Sequence, residues 1–490
     1  MITGDQFRER LKKLKPNIYM GGKIVDRFDP KVVGGVNVMA RTYDFAFDKE
    51  FDGVGTAKSH LTGETINRFT HIHQSVEDLF NKQKMTRLYS QEVGGCIQRC
   101  MGTDSLNALS VVTYDADQKY GTNYHERFTN FMKKVQEEDL SLNCAQTDVK
   151  GNRPWRPHEQ QDPDLYLRVI EKRPDGIIVN GAKAHNSCSV YVDEIVVIPT
   201  RNMTAEENDW AVAFSLPSDW EGVTLINAAY APTRRKQLQA PFCEIGMSHS
   251  ITVFDNVFVP WERVFLCGEA DMAGKLALLF ALYHRHSYTG CKAAVSEIYA
   301  GATALAAEYN GIDRAQHVRH QLADMIQVVD LIYAAGIAAA VNSEKAASGT
   351  QIPDTNYCNA GRMLAGDAIY REYEALAAIA GGLVATLPPE EDFYDEKTGP
   401  YLEKYIMRNP NISAENQHRA FRLFQDMMAS AWGGHKLVDY LHGGGSPVIE
   451  KVAIYRDHNI EHSKNIVRKL AGIECDADTK CIDRESHAWL

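Results

Sequence analysis

Four long, mostly alanine-rich segments with a helical period fill the second half of the chain and restrict its fold most strongly. They are Val295–Tyr309, Gln316–Asn342, Arg362–Ala380 and Ala414–Tyr440. Apolar residues in them recur every three to four positions, which is the period of an amphipathic helix. Runs of glycine and proline separate the segments. The pattern predicts an antiparallel four-helix bundle within residues 275–490.

Residues 143–274 have a strand-like pattern instead. The clearest segments are rich in β-branched residues or flank the turn sequence Arg-Pro-Asp-Gly: Leu165–Glu171, Ile177–Lys183, Val190–Pro199 and Ser250–Val259. We predict a β domain here, preceded by a mainly helical domain over residues 1–142. The predicted fold is therefore α+β and mainly α, and its three parts follow the order of the acyl-CoA dehydrogenase fold.

Charge and hydropathy argue against several kinds of partner. The chain carries 53 Lys and Arg against 64 Asp and Glu, a formal charge of −11, whereas a nucleic-acid-binding protein shows a basic stripe. The N-terminus lacks the apolar stretch of a signal peptide. The longest apolar runs, Leu331–Val341 and Ala375–Leu387, are shorter than the ~18–20 residues of a membrane span. We expect a cytoplasmic protein without nucleic-acid or membrane partners, with a polar tail from residue 474.

Ten cysteines occur, and in a long chain without a secretion signal they do not indicate a disulfide framework. The motif Cys96-Ile-Gln-Arg-Cys100 places two of them four positions apart. On a helix these positions share a face, so both thiolates could reach one metal site. The radical-enzyme motif needs a further cysteine at position 103, which is Thr103 here. Two buried, inert thiols are the alternative interpretation.

A second motif is His284-Arg-His-Ser-Tyr288-Thr-Gly-Cys291-Lys292. If this segment is helical, His284, Tyr288 and Cys291 line one face over two turns. A structural histidine and an ordinary buried thiol are the alternative. Taken with the first motif, four side chains become candidate ligands of either zinc or an iron–sulfur cluster: Cys96, Cys100, His284 and Cys291.

Seven stretches spread over most of the chain resemble the 4-hydroxybutyryl-CoA dehydratase family. They are Thr65-Ile-Asn-Arg-Phe with His73-Gln-Ser, Cys96-x-Gln-Arg-Cys100, Asp117-Gln-Lys-Tyr-Gly-Thr-Asn-Tyr-His125, Gly181-Ala-Lys-Ala-His185, Phe254-Asp-Asn-Val-Phe, Tyr283-His-Arg-x-Ser-Tyr288-x-Gly-Cys291-Lys292 and His442-Gly-x-Gly-Ser-Pro447. The resemblance implies an acyl-CoA dehydrogenase-like fold, a homotetramer, an FAD and a 4Fe-4S cluster. The cluster ligands that it implies are Cys96, Cys100, His284 and Cys291.

The reaction that the resemblance implies is radical dehydration of a 4-hydroxyacyl-CoA, with double-bond isomerisation as a side activity. A base removes the α-proton and the flavin accepts one electron, which makes the β-proton far more acidic. The cluster acts as a Lewis acid for the leaving hydroxyl, which replaces a weak histidine ligand at the iron. His284 then fits the exchangeable ligand and base, and Tyr288 fits a proton donor. The resemblance also implies that Lys292 stabilises charge next to the cluster and that Gln98 forms hydrogen bonds with groups around the cluster.

Two polar stretches resemble the flavin contacts of the same family, Thr147-Asp-Val-Lys-Gly-Asn-Arg153 and His185-Asn-Ser187. The side chains expected to bind FAD are Thr147, Lys150, Arg153, His185, Asn186 and Ser187. Ser187 replaces a threonine and keeps the hydroxyl. A polar turn and a strand end are the alternative interpretations. The sequence has no glycine-rich dinucleotide fingerprint, which agrees with a fold that does not bind flavin through a Rossmann turn.

Two positions depart from the family. His249, five residues before Phe254, and Asp439, three residues before His442, stand where the family has glutamates. Histidine can act as a base near neutral pH. The shorter aspartate shifts its carboxylate by about 1 Å, which can cost ~100-fold in rate. We therefore expect both residues to be catalytic and the substrate to be a related acyl-CoA or another activated acid.

Two other functions are weighed against this one. Phe258-Val-Pro-Trp-Glu-Arg-Val-Phe265 resembles the 4-hydroxyphenylacetate 3-hydroxylase type, a group of flavin-dependent aromatic monooxygenases that work without a cluster. The second alternative is a non-catalytic redox or assembly protein that keeps the cluster for structure. The set of three cysteines and one histidine favours the dehydratase over the monooxygenase.

Overall fold

The computed structural model describes residues 1–473. The predicted polar tail, with Cys475 and Cys481, lies outside the described residues. Fifteen α-helices occur within them: α1 (Gly4–Leu11), α2 (Val33–Asp44), α3 (Val76–Glu92), α4 (Cys100–Tyr120), α5 (Tyr124–Glu138), α6 (Ala270–Tyr309), α7 (Gln316–Val341), α8 (Thr355–Ala380), α9 (Leu383–Thr386), α10 (Glu390–Phe393), α11 (Gly399–Ile406), α12 (Ala414–Met428), α13 (Ala431–His442), α14 (Pro447–Asp457) and α15 (Ile460–Leu470).

The strands lie mostly between α5 and α6. In chain order they are β1 (Ile18–Met20), β2 (Lys23–Val25), β3 (Thr56–Lys58), β4 (Thr65–Asn67), β5 (Leu142–Ala145), β6 (Arg168–Lys172), β7 (Gly176–Ser187), β8 (Glu194–Val197), β9 (Val212–Pro217), β10 (Val223–Tyr230), β11 (Met247–Pro260), β12 (Val264–Cys267), β13 (Glu344–Lys345) and β14 (Gln351–Ile352). Helices and sheets together confirm the α+β, mainly α class.

Two sheets form the β layer. The first has the order β2-β1-β10-β11-β7-β6, and the second has the order β12-β9-β8-β5. β1 runs parallel to β10, so the first residues of the chain complete a sheet whose other strands come much later. In the antiparallel pair of β11 and β7, His249 lies opposite Ser187. This register brings a predicted catalytic residue beside a predicted flavin contact.

The helical body is built around α6, a 40-residue helix that packs against α3, α4, α7 and α8. Most of α6 is buried, which agrees with its high content of alanine and other apolar residues. The largest hydrophobic core joins both sheets to α2, α4, α5 and the first turns of α6. A second core lies between the later turns of α6, α8 and the C-terminal helices. The region between these two cores contains the predicted site residues of α6.

Two helical segments differ from their prediction. The segment predicted as one helix over Ala414–Tyr440 is two helices, because Ser430 leaves the helical backbone region and its side chain accepts a hydrogen bond from the Gly433 amide, which caps α13. The helix predicted from Val295 begins 25 residues earlier, at Ala270. Strands β5, β9 and β12 were not predicted, since they are short apolar runs without a clear alternation; β10, which was not predicted either, is longer and alternates in burial.

Helix α7 is long and apolar enough, by length and composition, to cross a membrane. The apolar run Leu331–Val341 that the sequence analysis considered is only its second half, because Asp330 interrupts the longer segment. One side of α7 packs against α6, α8 and α3. Large apolar side chains on its other side are exposed, among them Ile326, Leu331 and Val341.

Candidate active site

The loop between α3 and α4 carries the first cysteine pair. α3 ends at Glu92, Gly94 has φ of +68°, and α4 begins only at Cys100. Cys96 therefore lies in the loop before α4, and the prediction that the two thiols share a helical face is wrong. The loop holds Cys96 and Cys100 close enough for the charge of one to raise the pKa of the other.

The loop is held by the residues between the cysteines. Gln98 has φ of +59°, and its side-chain oxygen accepts a hydrogen bond from the Tyr191 hydroxyl. Arg99 is buried, donates to Asp139 Oδ1 over 3.0 Å, and lies 3.8 Å from the centre of the Tyr43 ring. Gln98 thus anchors the cysteine loop to the β layer. This is the supporting role that the resemblance implies for it.

The second motif lies in the middle of α6. His284, Tyr288, Cys291 and Lys292 are all buried there. The Tyr288 ring meets the His284 imidazole edge to face at 5.1 Å between centroids. The predicted helix and its spacing are confirmed.

The three cysteines of the two motifs come close to one another. Burial is the main cause that raises the pKa of Cys100, and the neighbouring charges of Asp104, Cys96 and Cys291 raise it further. Burial and Cys96 likewise raise the pKa of Cys291. Three mutually repelling thiolates at a buried position ionise only when a cation compensates them. Without a cation the three side chains remain neutral thiols, and with one they can ionise, so the donor set is compatible with a metal centre.

Asp104, one turn after Cys100 on α4, was missed by the sequence analysis. Its carboxylate accepts hydrogen bonds from Lys82 Nζ at 2.7 Å and from the Ser287 hydroxyl, and it pairs with His284 Nδ1 at 2.9 Å. Burial opposes its ionisation, but the Lys82 charge and the His284 hydrogen bond lower the pKa of Asp104 overall. An ionised Asp104 makes Nδ1 the donor, so the lone pair of His284 is on Nε2.

One potential ligand atom from each of Cys100, Asp104 and His284 lies within 4.8 Å of the others. The structure thus brings two of the four predicted ligands, Cys100 and His284, to one point, whereas Cys96 and Cys291 lie nearby but outside this group. It adds a carboxylate that orients the imidazole. An aspartate four residues after a cysteine was the one sequence signal that could have revealed it.

The two departures from the family lie opposite each other. His249 Nε2 is 3.8 Å from Asp439 Oδ1 and 3.2 Å from His435 Nε2, and His249 Nδ1 is 2.8 Å from the Ser187 hydroxyl. Ligand atoms of His249, His435 and Asp439 all lie within 4.8 Å of one another. His435, which stacks on Tyr230 at 3.8 Å, was not predicted. The two substitutions therefore change one local environment together.

Charge is distributed unevenly in this second group. Burial lowers the pKa of His249, and it lowers the pKa of His435 to about 4. Burial opposes the ionisation of Asp439, but Lys436, with its Nζ 3.6 Å from Asp439 Oδ2, lowers the pKa of that carboxyl. At neutral pH the group therefore holds two neutral imidazoles and one carboxylate. The Asp439 charge also acts on Cys96, which places this group next to the cysteines.

Lys292 and Tyr288 are each confined by buried neighbours. Lys292 Nζ lies 3.9 Å from Glu372 Oε2 and 4.6 Å from the centre of the Tyr440 ring. Burial lowers the pKa of Lys292. Burial raises the pKa of Tyr288 well above its usual value, although Arg362 opposes this, so the phenol keeps its proton. The Tyr288 hydroxyl therefore remains a hydrogen-bond donor at neutral pH.

The predicted flavin contacts follow β7 and the loop after β5. The Thr147 carbonyl accepts from the Ala184 amide, and Lys183 pairs with Asp148 at 2.9 Å, which joins the two stretches. His185 is exposed and has φ of +59°. The two stretches thus lie side by side, next to the His249 group.

The side chains predicted to bind the flavin differ in their exposure and in whether they already have hydrogen-bond partners. Arg153 and Lys150 are exposed, and the Ser187 hydroxyl bonds His249. The Asn186 amide is buried and donates to Thr252 Oγ1 at 2.7 Å. Exposed cationic and hydroxyl groups along one edge suit the phosphates and ring polar atoms of a flavin nucleotide. The arrangement fits an FAD, with Asn186 shaping the strand behind it.

Two family models match most of the chain. Residues 3–266 match the model described as 4-hydroxyphenylacetate 3-hydroxylase N terminal, and residues 273–472 match the corresponding C-terminal model. A relative from Clostridium aminobutyricum, 4-hydroxybutyryl-CoA dehydratase/vinylacetyl-CoA-Delta-isomerase, is 38% identical and covers 97% of this chain and 100% of its own length. The oxygenase component of 4-hydroxyphenylacetate 3-monooxygenase from Thermus thermophilus is 29% identical, over 95% and 96% of the two chains.

Solved structures agree with these relatives. An oxygen-tolerant archaeal 4-hydroxybutyryl-CoA dehydratase from N. maritimus has a TM-score of 0.92 at 35% identity and covers 97% of this chain and 95% of its own. The oxygenase component of 4-hydroxyphenylacetate 3-monooxygenase complexed with FAD has a TM-score of 0.85 at 26% identity, over 96% and 98% of the two chains.

Proposed function

The chain belongs to the family of the 4-hydroxyphenylacetate 3-hydroxylases and 4-hydroxybutyryl-CoA dehydratases, and from this premise we propose that it is a hydro-lyase acting on a 4-hydroxyacyl-CoA or a closely related activated acid. Double-bond isomerisation is a side activity of the same proton-transfer groups. The single observation that carries this proposal is the meeting of Cys100 and His284 with Cys96 and Cys291 close by. The flavin-dependent aromatic monooxygenases work without a cluster and so do not need three cysteines and one histidine at one place.

Two cofactors complete the proposed site. Cys96, Cys100, Cys291 and His284 would hold a 4Fe-4S cluster, and Thr147, Lys150, Arg153, His185, Asn186 and Ser187 would hold an FAD. When bound, the flavin supplies one-electron chemistry and the cluster supplies Lewis acidity toward the leaving hydroxyl. The solved complex of a relative of the same fold with FAD supports the FAD assignment.

The protein groups move the protons. His284 donates its Nδ1 proton to Asp104 Oδ2 at 2.9 Å, so Nε2 carries the free lone pair. This nitrogen serves in turn as weak ligand and as base. Tyr288 keeps its proton through burial and donates it to the departing oxygen. Lys292 places a positive charge beside Cys291, close to where negative charge develops.

His249 and Asp439 distinguish this enzyme from the dehydratases that it resembles. Two glutamates facing each other repel when both ionise, whereas a neutral imidazole facing a carboxylate does not. The pair His249 and Asp439, 3.8 Å apart, therefore offers one base of low pKa and one hydrogen-bonding ring. We propose that this pair selects a substrate other than 4-hydroxybutyryl-CoA.

The proposed assembly is a homotetramer, in which the exposed apolar side of α7 packs against other copies. Ile326, Leu331 and Val341 are each about half exposed on that side, with relative exposures of 53%, 49% and 61%. Contiguous exposed apolar surface of this kind marks an interaction site. Burial between subunits also accounts for a composition that would otherwise suit a membrane span.

The test compares anaerobically purified wild type with the double variant His249→Glu/Asp439→Glu. We expect wild type to dehydrate 4-hydroxybutyryl-CoA slowly and the double variant to be faster by at least about tenfold, because the family's carboxylates are restored. Product analysis by liquid chromatography measures both. Equal rates would overturn the proposed specificity. Hydroxylation of a phenol by protein supplied with reduced flavin and oxygen would favour the monooxygenase instead.

A further inference from the structure

A cleft of about 460 Å³ opens next to the proposed site but includes none of the side chains predicted for it. The end of α3, the loop over residues 231–246, α6 and α12 form its walls. A much smaller void shares Gly94, Phe242 and Ile298 with the cleft and reaches Lys436 and Tyr440. Both of these residues neighbour the cysteines and Asp439. The cleft and the void meet at the three residues that they share, so the inner end of the cleft faces the site.

Phe242 stands at the junction of the two spaces. An added Cβ on Gly94 would lie 2.9 Å from the Phe242 ring, and the ring meets Trp432 edge to face at 6.4 Å between centroids. Only glycine at position 94 leaves the ring room beside the loop that carries Cys96. The passage is thus narrow and aromatic where it enters the site.

The walls of the cleft are apolar, with arginines at one side. Leu238, Leu305 and Leu423 are among the apolar side chains. Arg235 is neutralised by Asp426, which it contacts through two hydrogen bonds of 2.6 and 2.9 Å. Arg419 pairs with Glu415 at 2.9 Å. These two arginines already have acidic partners.

Arg422 differs from them. Its side chain is 4% exposed, Nη1 donates to Gln425, and Nε and Nη2 have no hydrogen-bond partner among the described residues. Burial and the charge of Arg235 lower the pKa of Arg422 to about 10, so it remains a cation at neutral pH. A buried guanidinium with two free donors is costly unless an anion accepts from them.

We propose that this cleft binds the CoA portion of the substrate, with the pantetheine arm along the apolar wall, a phosphate group on Arg422 and the thioester passing Phe242. The inference rests on the proposed function and adds the route by which the substrate enters. A charged guanidinium and a phosphate form paired hydrogen bonds. The long, mostly uncharged arm of a CoA thioester matches an apolar cleft of this volume.

The test measures binding rather than turnover, with butyryl-CoA and butyryl-pantetheine titrated into the holoenzyme by calorimetry. We expect Arg422→Gln to weaken butyryl-CoA by at least about tenfold and to leave butyryl-pantetheine, which lacks phosphates, unchanged. Arg234→Gln is the matched control. Arg234 lies in the loop over residues 231–246 that forms one wall of the cleft, but its side chain is exposed and does not line the cleft.

A second variant fills the cleft without touching a charge. Leu305→Trp on α6 is expected to weaken both ligands by at least about tenfold, whereas Leu278→Trp, at an exposed position of the same helix, is expected to change neither. Cofactor content and far-UV circular dichroism establish that each variant is folded. Wild-type affinities in both Arg422→Gln and Leu305→Trp would overturn the channel while leaving the proposed function intact. Failure of wild type to bind either thioester would overturn both.

Discussion

Asp104 is the residue on which the geometry of His284 depends. It holds the imidazole, the Ser287 hydroxyl and the Lys82 ammonium at one carboxylate. A partner of this kind fixes which ring nitrogen faces a metal, and its loss commonly costs about 10- to 100-fold in affinity or activity. The orientation of His284 is therefore a property of two helices, α4 and α6, rather than of the histidine alone.

Removing that carboxylate should uncouple iron binding from catalysis. Asp104→Asn alone would leave Lys82 buried without its counter-charge, at a cost of about 3–5 kcal/mol, so Lys82→Met/Asp104→Asn is the informative variant. We expect dehydratase activity to fall by about 10- to 100-fold while the three cysteines retain iron. Asp115→Asn on the same helix, where Asp115 pairs with Lys275, is the control. Full activity in the double variant would contradict the orienting role.

Gly443 tests the position of Tyr288 in the same way. A Cβ at Gly443 would lie 1.7 Å from the Tyr288 hydroxyl oxygen, although the backbone of Gly443, with φ of −61°, accepts any residue. Gly443→Ala should therefore displace the phenol by about 1 Å, and a shift of that size costs ~100-fold in rate. Steady-state kinetics measure it. Gly434→Ala, with no atom near the added methyl, should behave like wild type; equal rates for both variants would exclude Tyr288 as a proton donor.

At the scale of elements, the sequence predicted the second part of α6, from Val295, and the spacing that the His284 motif has if it is helical, but it misjudged the loop before α4. The His284 motif is continuous helix, so a period of 3.6 residues was sufficient to place its side chains. The Cys96 motif lies where Gly94 and Gln98 adopt positive φ angles, and the stability of that shape comes from contacts with Tyr191 and Asp139 far along the chain. Contacts between residues far apart in the chain cannot be predicted from the local sequence. For the same reason Asp104, His435 and the cleft were not predicted.

The packing of α12 gives a prediction about acid stability. His418 on α12 is buried, stacks on Phe393 at 4.1 Å, and has no hydrogen-bond partner for either ring nitrogen among the described residues. Burial and Arg422 lower its pKa to about 4. Between pH 6.5 and 4 the unfolded chain thus binds a proton that the folded chain does not, so this contribution to stability is complete above pH 6.5 and declines as the pH falls.

The corresponding measurement is urea denaturation at pH 7 and pH 5. The unfolding free energy of wild type should fall by about 2 kcal/mol more than that of His418→Phe, which keeps the aromatic stack and removes the titrating group. His317→Phe, at an exposed histidine, should retain the wild-type slope. An identical pH dependence in wild type and His418→Phe would contradict a neutral His418.

At the scale of the whole molecule, the order of helices, strands and long helices was predictable because each part has its own hydrophobic period. The connection of β1 to β10 was not, since it joins residues about 200 positions apart. The division into domains at residues 142 and 274 stays a prediction, as do the cytoplasmic location and the tetramer. The exposed apolar side chains of α7 are the structural feature on which the proposed tetramer rests.

Replacing apolar residues on that surface should dissociate the assembly. Ile326→Lys/Val341→Lys adds two charges to the exposed side of α7, and burying unpaired charges in an interface is costly. We expect sedimentation to change from tetramer to smaller species. Ile24→Lys, on the 50% exposed Ile24 of β2, is the control. A tetramer that persists in the α7 variant would place the interface elsewhere.

The measurement that tests the central claim most directly is iron and acid-labile sulfide analysis of anaerobically purified protein, together with X-ray absorption at the iron edge. The account predicts on the order of four iron atoms and four sulfides per chain, with sulfur and one nitrogen donor at the iron, and loss of both in Cys291→Ala with the flavin retained. Protein that contains flavin but no iron, and whose activity survives Cys291→Ala, would contradict it.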